Sequence, residues 1–459
     1  MKINECSKYL FWGLSISIFT GCQPKQEIEI TPNDYHAVVD KVTAIMVNDI
    51  FSPPQASRVY AYPNIAAYEA LNSTSTEYVS LAPQLNDFEK FSPPVLPEQG
   101  TNLKLSALIA YLQVAEKLVF SEEEIQKYRD SLYDVWSERN PQSLKKARTY
   151  AESVASNVLQ WMEADNYQET RTMPDYDFFD DEPHRWQPTP PAYMKGIEPH
   201  WNKIRPMVMD SASQFKPLPP PAFSLDKDSE FYRQLVEVYN ISESIRAKEK
   251  NSPEIEIARF WDCNPYVSIT RGHYMFAEKK ITPGAHWMGI CKIAALQSQA
   301  DFELTVYAYT KTSIAIFDAF ISCWDEKYRS NLIRPETLIA EHLDKNWKPI
   351  LQTPPFPEYT SGHSVVSTSA ARALTSIFGE NFDFEDITEI PYGLPARKFS
   401  SFNAAAEEAA MSRLYGGIHY RAAVEEGAVQ GANLGDYINS TLIFLRKPAE
   451  AEELLTSTP

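Results

Sequence analysis

The chain has 459 residues, of which 44% are hydrophobic and 23% charged, and its formal net charge is −18. This composition is typical of a globular protein with a substantial buried core, and it excludes a disordered or fibrous chain. Because a strongly acidic protein repels nucleic acid, we expect no nucleic-acid partner. Glycine is scarce, with 15 residues, and no glycine-rich phosphate loop is present, which argues against nucleotide-binding enzymes of that type.

The first 22 residues have the pattern of a bacterial export signal. A start with two lysines precedes the apolar run at residues 9–19, which leads directly into Thr-Gly-Cys, ending at Cys22. This order predicts a lipoprotein signal peptide over residues 1–22, with Cys22 lipidated, and a tether over residues 23–34. We therefore expect an exported lipoprotein of the bacterial outer membrane. Its lipid anchor is the only expected membrane contact, because no later stretch is long and apolar enough to span a bilayer.

Helical periodicity begins near His36 and predicts most of the remaining elements. The predicted helices of the first half cover roughly residues 57–72, 103–118, 122–138 and 142–165. Residues 174–221 contain eleven prolines and few periodic apolar positions, which indicates a long ordered loop or a plain linker. Helical patterns resume near residue 229 and continue, with breaks, to about residue 446.

These patterns predict an all-α protein, a large helical bundle of two packed halves with long proline-rich loops. The predicted divisions are an N-terminal half, a connecting segment and a C-terminal half with the active site, at residues 35–173, 174–228 and 229–448. Outside the signal peptide there are three cysteines and no CxxC spacing, so we expect core cysteines and no disulfide framework. His273, His286 and Cys291 also lack a usual zinc spacing, and we expect them to have core or supporting roles.

The first basic motif runs from Trp324 to Pro335. Lys327 and Arg334 lie seven residues apart, which corresponds to two helical turns along one face. Because Pro335 disfavours helix at Arg334, this side chain is expected to point off the helix end. An ordinary solvated helix end, where basic residues are common, is the alternative.

The second motif, Ser361-Gly362-His363, directly precedes a predicted helix. Ser361 suits the N-cap, and Gly362 lets a ligand approach the backbone closely. Free N–H groups at a helix start attract oxyanions, and a histidine in that first turn is suited to proton transfer. An ordinary capping turn is the alternative.

The third motif contains Arg413 and His419, with Gly416 and Gly417 between them. On one continuous helix the two side chains would point about 240° apart, but the glycines can break the helix and turn both toward one point. A histidine held beside an arginine can act as a nucleophile or a metal ligand. A helix–helix turn with glycines for close packing is the alternative.

Together the motifs supply two arginines, a lysine, a serine hydroxyl, a backbone amide and two histidines, which suit a cradle for a tetrahedral or trigonal-bipyramidal oxyanion. In this combination the sequence resembles the superfamily of vanadium-dependent haloperoxidases and type 2 phosphatidic acid phosphatases. The shared motifs lie at residues 327–335, 361–363 and 412–419. A looser similarity to the bacterial haloperoxidase branch extends to residues 260–262 and 283–287.

The resemblance implies an α-helical bundle that binds vanadate or phosphate at one site. Carried over by position, the residues that would hold the equatorial oxygens are Lys327, Arg334, Ser361, Gly362 and Arg413. His419 would be the axial vanadium ligand, or the phosphorylated nucleophile of a phosphatase, and His363 the acid–base group beside the apical oxygen. Hydrogen peroxide would replace that oxygen, and Lys327 would polarise it for attack by halide. Phosphate is expected to compete with vanadate.

Two positions depart from the superfamily pattern. Thr360 replaces a proline, which concerns loop stiffness, and Ala423 replaces an aspartate that normally orients the axial histidine. Glu425 or a backbone carbonyl is the expected substitute for that aspartate. By loose analogy, Asp262 is the expected partner of Arg413.

Trp324 and Phe356 favour the haloperoxidase branch, in which chloride-oxidising members carry an aromatic ring where algal bromide oxidisers have histidine. Plain core packing is the alternative for both aromatic residues. We expect a vanadate-dependent haloperoxidase that uses hydrogen peroxide to oxidise iodide or bromide to a hypohalous-acid-type halogenating species. A soluble acid phosphatase acting through a phosphohistidine is the first alternative, and a non-catalytic binding lipoprotein is the second. The organic acceptor and the oligomeric state stay open.

Overall fold

A computed structural model of the protein describes residues 26–88, 95–177, 182–248, 252–271, 274–277 and 279–446. Within these ranges the chain forms 14 α-helices and two short antiparallel hairpins, so the prediction of an all-α helical bundle is confirmed. The predicted signal peptide and Cys22 lie outside the described residues. None of the described helices is both long and apolar enough to cross a membrane.

Six helices precede the proline-rich segment and eight follow it. The first six are α1 (Pro32–Asn48), α2 (Pro53–Asn72), α3 (Leu103–Glu116), α4 (Glu122–Arg139), α5 (Pro141–Glu163) and α6 (Tyr167–Thr170). The remaining eight are α7 (Glu230–Ala247), α8 (Pro253–Phe260), α9 (Pro283–Gln297), α10 (Phe302–Ser330), α11 (Pro335–His342), α12 (Gly362–Phe378), α13 (Phe402–Tyr415) and α14 (Arg421–Thr441). The hairpins pair β1 (Ser268–Arg271) with β2 (Tyr274–Ala277) and β3 (Phe384–Asp386) with β4 (Arg397–Phe399).

Helix α10 is the central element of the bundle. Its N-cap Asp301 accepts a hydrogen bond from the backbone N–H of Leu304 at 2.8 Å, and every residue from 305 to 324 is buried. A helix that is buried on all sides belongs in the interior of a large bundle, and α10 packs against α2, α9 and α12. It ends at Ser330, because Asn331 adopts a left-handed conformation with φ of 49°.

Helices α12 and α14 approach each other unusually closely. Glycines at every fourth position of α14 face α12, and a Cβ atom added at Gly431 would lie 2.3 Å from the carbonyl oxygen of Val365. At Gly427 it would lie 3.1 Å from the carbonyl oxygen of Ser361. The glycine stripe therefore lets the backbone of α14 support the first turn of α12, where the second motif lies.

The proline-rich segment is fastened along α10 and its C-terminal end. The backbone N–H of Trp186 donates to the carbonyl of Asn331 at 2.9 Å. Further along, the carboxylate of Asp318 on α10 accepts three backbone N–H groups, those of residues 207–209. Within the described parts of residues 174–221, the only regular element is a short 3₁₀ helix at Trp201–Lys203. The ordered-loop interpretation of this segment therefore agrees with the structure better than a plain linker.

One hydrophobic core extends from Ile28 to Phe444 and contains side chains from both predicted halves. Because the halves share this core, the structure does not separate them, and the division points at residues 173 and 228 stay predictions. The predicted tether over residues 23–34 is too long at its C-terminal end. Ile28 and Ile30 alternate with glutamates and are buried, so the packed body begins before α1.

Candidate active site

The first basic motif lies at the junction of α10 and α11. Lys327 occupies the last turn of α10, whereas Arg334 is the extended N-cap of α11, with φ of −77° and ψ of 150°. The expectation that both lie along one helical face is therefore wrong, because the helix ends at Ser330. The expected effect of Pro335 is correct: it begins α11 and leaves Arg334 extended, and that side chain is fully buried.

The second motif forms the start of α12. Ser361 is the N-cap, and its Oγ accepts a hydrogen bond from the backbone N–H of Ser364 at 3.3 Å. The backbone N–H of Ser361 donates to the carbonyl of Ala423 at 3.0 Å, which ties this turn to α14. Gly362 and His363 follow as the first helical residues and both line a small cavity.

The third motif turns as its glycines suggest. Helix α13 ends at Tyr415, and Gly417 has φ of +74°, a left-handed conformation that favours glycine. The turn brings Arg413 and His419 to the same cavity despite their positions along the chain. The cavity has further walls from Pro53, Cys263, Asn264, Pro283, Phe320, Trp324, Pro354 and Phe356.

Basic groups beside this cavity are buried and incompletely paired. In the part of the chain that the structure describes, Arg334 Nη2, Arg413 Nε and His363 Nε2 have no hydrogen-bond partner. Burial lowers the pKa of Arg334 to about 10 and also lowers the pKa of Arg413. Buried cations with unused donors are costly unless an anion satisfies them, so this arrangement fits an oxyanion.

Lys327 is placed differently from what the motif alone indicates. Its ammonium donates to three backbone carbonyls, those of Pro357 at 3.0 Å, Glu358 at 3.1 Å and Thr360 at 2.5 Å. Burial lowers the pKa of Lys327 to about 7. The side chain therefore holds the loop before α12, and direct donation to an anion requires that it give up one of these carbonyls.

His419 lies between a carboxylate and an arginine, and these neighbours determine its tautomer. Its Nδ1 is 2.8 Å from Glu358 Oε1, which also accepts the backbone N–H of Tyr420 at 2.9 Å. Arg334 Nη1 donates to the other ring nitrogen, Nε2, at 3.0 Å. Nδ1 therefore carries the proton, and Nε2 presents its lone pair toward the basic groups.

Glu358, which belongs to none of the three motifs, supplies the carboxylate beside His419. The expected substitute for the absent carboxylate at Ala423 was Glu425, but Glu425 Oε1 lies 3.4 Å from Arg421 on the surface of α14. Glu358 is fully buried, and burial raises its pKa to about 7. The one indication in the sequence is its position three residues before Ser361, since no helical spacing relates it to His419.

Both histidines of the site are neutral in this arrangement. Burial and the nearby Arg413 lower the pKa of His363 well below its usual value. Burial and Arg334 do the same for the pKa of His419. A neutral histidine can ligate a metal centre or accept a proton, whereas an imidazolium can do neither.

Two aromatic rings line the cavity and also belong to the hydrophobic core. Trp324 and Phe356 have ring centroids 5.0 Å apart, and the Lys327 ammonium lies 4.9 Å from the Phe356 centroid. The wall therefore combines an apolar surface with a cation behind it. Asp262, the expected partner of Arg413, interacts with it through charge only: Asp262 accepts a hydrogen bond from Lys280 at 2.6 Å, and Arg413 Nη1 donates to the carbonyl of Trp261 at 2.9 Å.

Comparison with known proteins identifies the family. Residues 308–445 match the family described as the VCPO second helical-bundle domain. The crystal structure of a bacterial vanadium-dependent iodoperoxidase shares 56% sequence identity with this chain, with a TM-score of 0.89, over 93% of this chain and 100% of the other. The chain belongs to the vanadium-dependent haloperoxidase family. It is accordingly an enzyme, and the comparisons give no support to the phosphatase or the binding-protein alternatives.

More distant haloperoxidases share the fold. The apo and holo structures of a bacterial vanadium-dependent chloroperoxidase are 17% and 15% identical to this chain, with TM-scores of 0.64 and 0.59. They cover 84% and 86% of this haloperoxidase, which in turn covers 92% and 93% of them. A comparison with curated protein sequences finds no match.

Membership of this family implies vanadate as the cofactor, and the residues present fit it. Vanadate needs donors for several oxygens and a lone pair for its metal. Arg334 Nη2 and Arg413 Nε are unused donors, and His419 Nε2 carries a lone pair that Arg334 Nη1 must release before this nitrogen can ligate a metal. A Cβ atom at Gly362 would project between Trp324 and Lys327, with nearest contacts of 3.7 and 4.0 Å, so glycine keeps this part of the cradle open.

Proposed function

We propose that this haloperoxidase uses hydrogen peroxide to oxidise iodide, and bromide less readily, at a vanadate held by the three motifs. The observation that carries the proposal is the lone pair of His419 Nε2 among buried basic groups with unused donors. The 56% identity to a structure described as an iodoperoxidase supports iodide as the halide. Iodide is also the easiest of the three halides to oxidise.

The proposed division of labour follows the contacts of each residue. The vanadate oxygens would be held by Arg334, Arg413, Ser361 and the backbone of Gly362. Lys327 would add positive charge and hold the loop before α12 in place. His419 would be the metal ligand, oriented by Glu358. When bound, vanadate supplies the Lewis-acidic centre at which hydrogen peroxide is activated.

The overall reaction consumes one halide, one hydrogen peroxide and one proton, and yields hypohalous acid and water. The halide loses two electrons, the O–O bond breaks, and one of its oxygens joins the halogen while the other leaves as water. His363 Nε2 is unpaired and at the cavity wall, so it is placed to take up a proton from hydrogen peroxide and return it to the departing oxygen. The aromatic wall of Trp324 and Phe356 would receive the halide, since a large polarisable anion is less costly to desolvate than a small one.

The test is halide oxidation by the protein purified without its first 22 residues, before and after addition of orthovanadate. Iodide oxidation that depends on vanadate is expected, with loss in His419→Ala. The exposed His342 on α11 offers a matched control, and His342→Ala should keep the activity. Full activity in His419→Ala, or oxidation without vanadate, would contradict the proposal.

Phosphate is expected to compete with vanadate, because both are tetrahedral oxyanions that use the same donors. Vanadate titrations at increasing phosphate should therefore show a rising apparent Kd with an unchanged maximal rate. Hydrolysis of p-nitrophenyl phosphate by the purified protein, inhibited by vanadate and absent in His419→Ala, would instead support the phosphatase chemistry.

We also propose that lipidation at Cys22 places the enzyme at the bacterial outer membrane. The proposal is supported by the basic, apolar and Thr-Gly-Cys order of the first 22 residues. Membrane fractionation of cells that express the full chain tests it. The wild type should sediment with the outer membrane and Cys22→Ala should not, and equal distribution of the two would overturn the proposal.

A further inference from the structure

A second cluster of ligating side chains lies at the wall of the active-site cavity, outside the three motifs. Cys263 follows α8, His286 is in the first turn of α9, and Glu389 follows the β3 strand. All three are buried, with 1%, 0% and 5% of their surfaces exposed. Cys263 also lines the cavity beside Arg413 and His419. No zinc spacing near His286 indicates this cluster in the sequence, because the other two residues come from distant segments.

The three ligating atoms are spaced as a single ion requires. His286 Nδ1 is 3.4 Å from Cys263 Sγ and 3.3 Å from Glu389 Oε1, and Sγ is 3.9 Å from that oxygen. Tetrahedral zinc with ordinary bond lengths would separate the same pairs of atoms by about 3.6, 3.4 and 3.6 Å. The arrangement therefore needs movements of only a few tenths of an ångström to bind a metal.

The His286 ring is already oriented as a ligand. Its other nitrogen, Nε2, lies 2.8 Å from Asp386 Oδ2, so this nitrogen donates to the carboxylate and Nδ1 is left facing Cys263 and Glu389. Carboxylate–histidine–metal arrangements of this kind are usual in zinc sites. The ring also stacks on Trp261, with centroids 4.4 Å apart and an interplanar angle of 19°.

We propose that Cys263, His286 and Glu389 bind one zinc ion, with Asp386 as the supporting carboxylate and the fourth position open to water. A thiolate, an imidazole and a carboxylate form a ligand set that suits zinc. Binding would release the thiol proton of Cys263 and leave a zinc-bound thiolate, as is usual for cysteine ligands.

The ion would join three segments and reach the vanadate cradle through Trp261. The ring of Trp261 stacks on His286, and its carbonyl accepts the hydrogen bond from Arg413 Nη1 at 2.9 Å. Zinc would therefore fix the position of Arg413 as well as the segment after α8. None of the proposed zinc ligands is a proposed vanadate ligand, so zinc binding does not depend on which halide the enzyme oxidises.

Elemental analysis of the full enzyme, purified without chelators, tests the proposal. We expect one zinc per chain in the wild type and loss of most of it in Cys263→Ser and in His286→Gln. Cys291 offers a matched control: it is a buried cysteine on the same helix as His286 and outside the cluster, so Cys291→Ser should keep its zinc. Asp386→Asn should weaken zinc binding by roughly 10- to 100-fold, as is usual for supporting carboxylates.

A second measurement covers variants that fail to fold. Zinc removed from the wild type by a chelator and replaced by Co²⁺ should give the near-ultraviolet absorption of a cobalt–thiolate bond, and the unfolding temperature should fall when the metal is removed. Wild-type enzyme that contains no zinc and gives no such absorption would overturn the proposal and identify the cluster as an ion pair between His286 and Asp386. Vanadium content measured on the same samples separates this result from a failure of the haloperoxidase proposal.

Discussion

The orientation of His419 depends on one carboxylate that no motif contains. Glu358 Oε1 accepts both the imidazole Nδ1–H and the backbone N–H of Tyr420, so it fixes the ring and its tautomer together. We expect Glu358→Gln to weaken vanadate binding by roughly 10- to 100-fold, because supporting partners of metal ligands usually have effects of this size. Calorimetric titration with vanadate gives the Kd, and the rate at saturating vanadate shows whether turnover also changes.

The control for this prediction is Glu425→Gln. Glu425 was the substitute expected from the sequence, and its side chain is 61% exposed beside Arg421. Exposed pairs of this kind contribute little, so the vanadate Kd should stay at its wild-type value. A Kd that rises in Glu425→Gln while Glu358→Gln binds normally would show that the carboxylate assignment is wrong.

At the element scale, the contact between α12 and α14 determines where the second motif lies. We expect Gly431→Ala to destabilise the protein by about 1–3 kcal/mol, because overpacking a tight contact forces the backbone apart. The added Cβ would lie 2.3 Å from the carbonyl oxygen of Val365, and a rigid carbonyl cannot move aside as a flexible side chain would. Chemical denaturation measures the loss of unfolding free energy.

The outward face of α14 provides the matched substitution. Val429 is 52% exposed two residues before Gly431, and Val429→Ala should leave the unfolding free energy within about 0.5 kcal/mol of wild type. Since α14 supports Ser361, weaker vanadate binding should accompany the destabilisation in Gly431→Ala. Wild-type stability in Gly431→Ala would mean that the helices do not pack this closely.

At the scale of the whole molecule, buried carboxyl groups make stability depend on pH. Glu69 is buried in α2 and accepts hydrogen bonds from Ser80 Oγ and the backbone N–H of Leu81, both at 2.7 Å. Burial nevertheless raises its pKa from 4.5 to about 7, and burial raises the pKa of Asp318 on α10 to about 6. The folded state therefore favours the protonated form of both groups more strongly than the unfolded state does.

The sign of the effect follows from this preference. The stabilisation of the folded state by the protonated carboxyl groups of Glu69 and Asp318 is complete below their unfolded pKa, near 4. It is lost as the pH rises through about 6 and 7. For Glu69 the raised pKa corresponds to roughly 3 kcal/mol at alkaline pH. Glu69→Gln removes the titrating group and should flatten the decline in unfolding free energy between about pH 5 and about pH 8.

Denaturation curves across this range should be compared with those of Glu77→Gln, which changes an exposed carboxylate in the loop after α2. That control should keep the wild-type decline. An unchanged decline in Glu69→Gln would show that Glu69 is ionised in the folded protein, which its burial opposes.

The local features of the site and the all-α class follow from the amino-acid sequence alone. Pro335 places Arg334 in an extended conformation, Ser361 caps α12, and the glycines before His419 end α13, because each of these effects acts through the residue's own backbone or its immediate neighbours. Helical periodicity gave most helices for the same reason. It failed at the end of α10, where Asn331 ends the helix before Arg334.

The side chains that meet from distant parts of the chain could not be predicted in this way. Glu358 and His419 are 61 residues apart, and Cys263 and Glu389 are 126 residues apart, yet each pair converges inside the bundle. No local rule relates such positions, because their separation depends on how α10, α12, α13 and α14 pack. A sequence motif therefore identifies the groups that face a ligand, whereas the packing of the whole core determines which groups orient them.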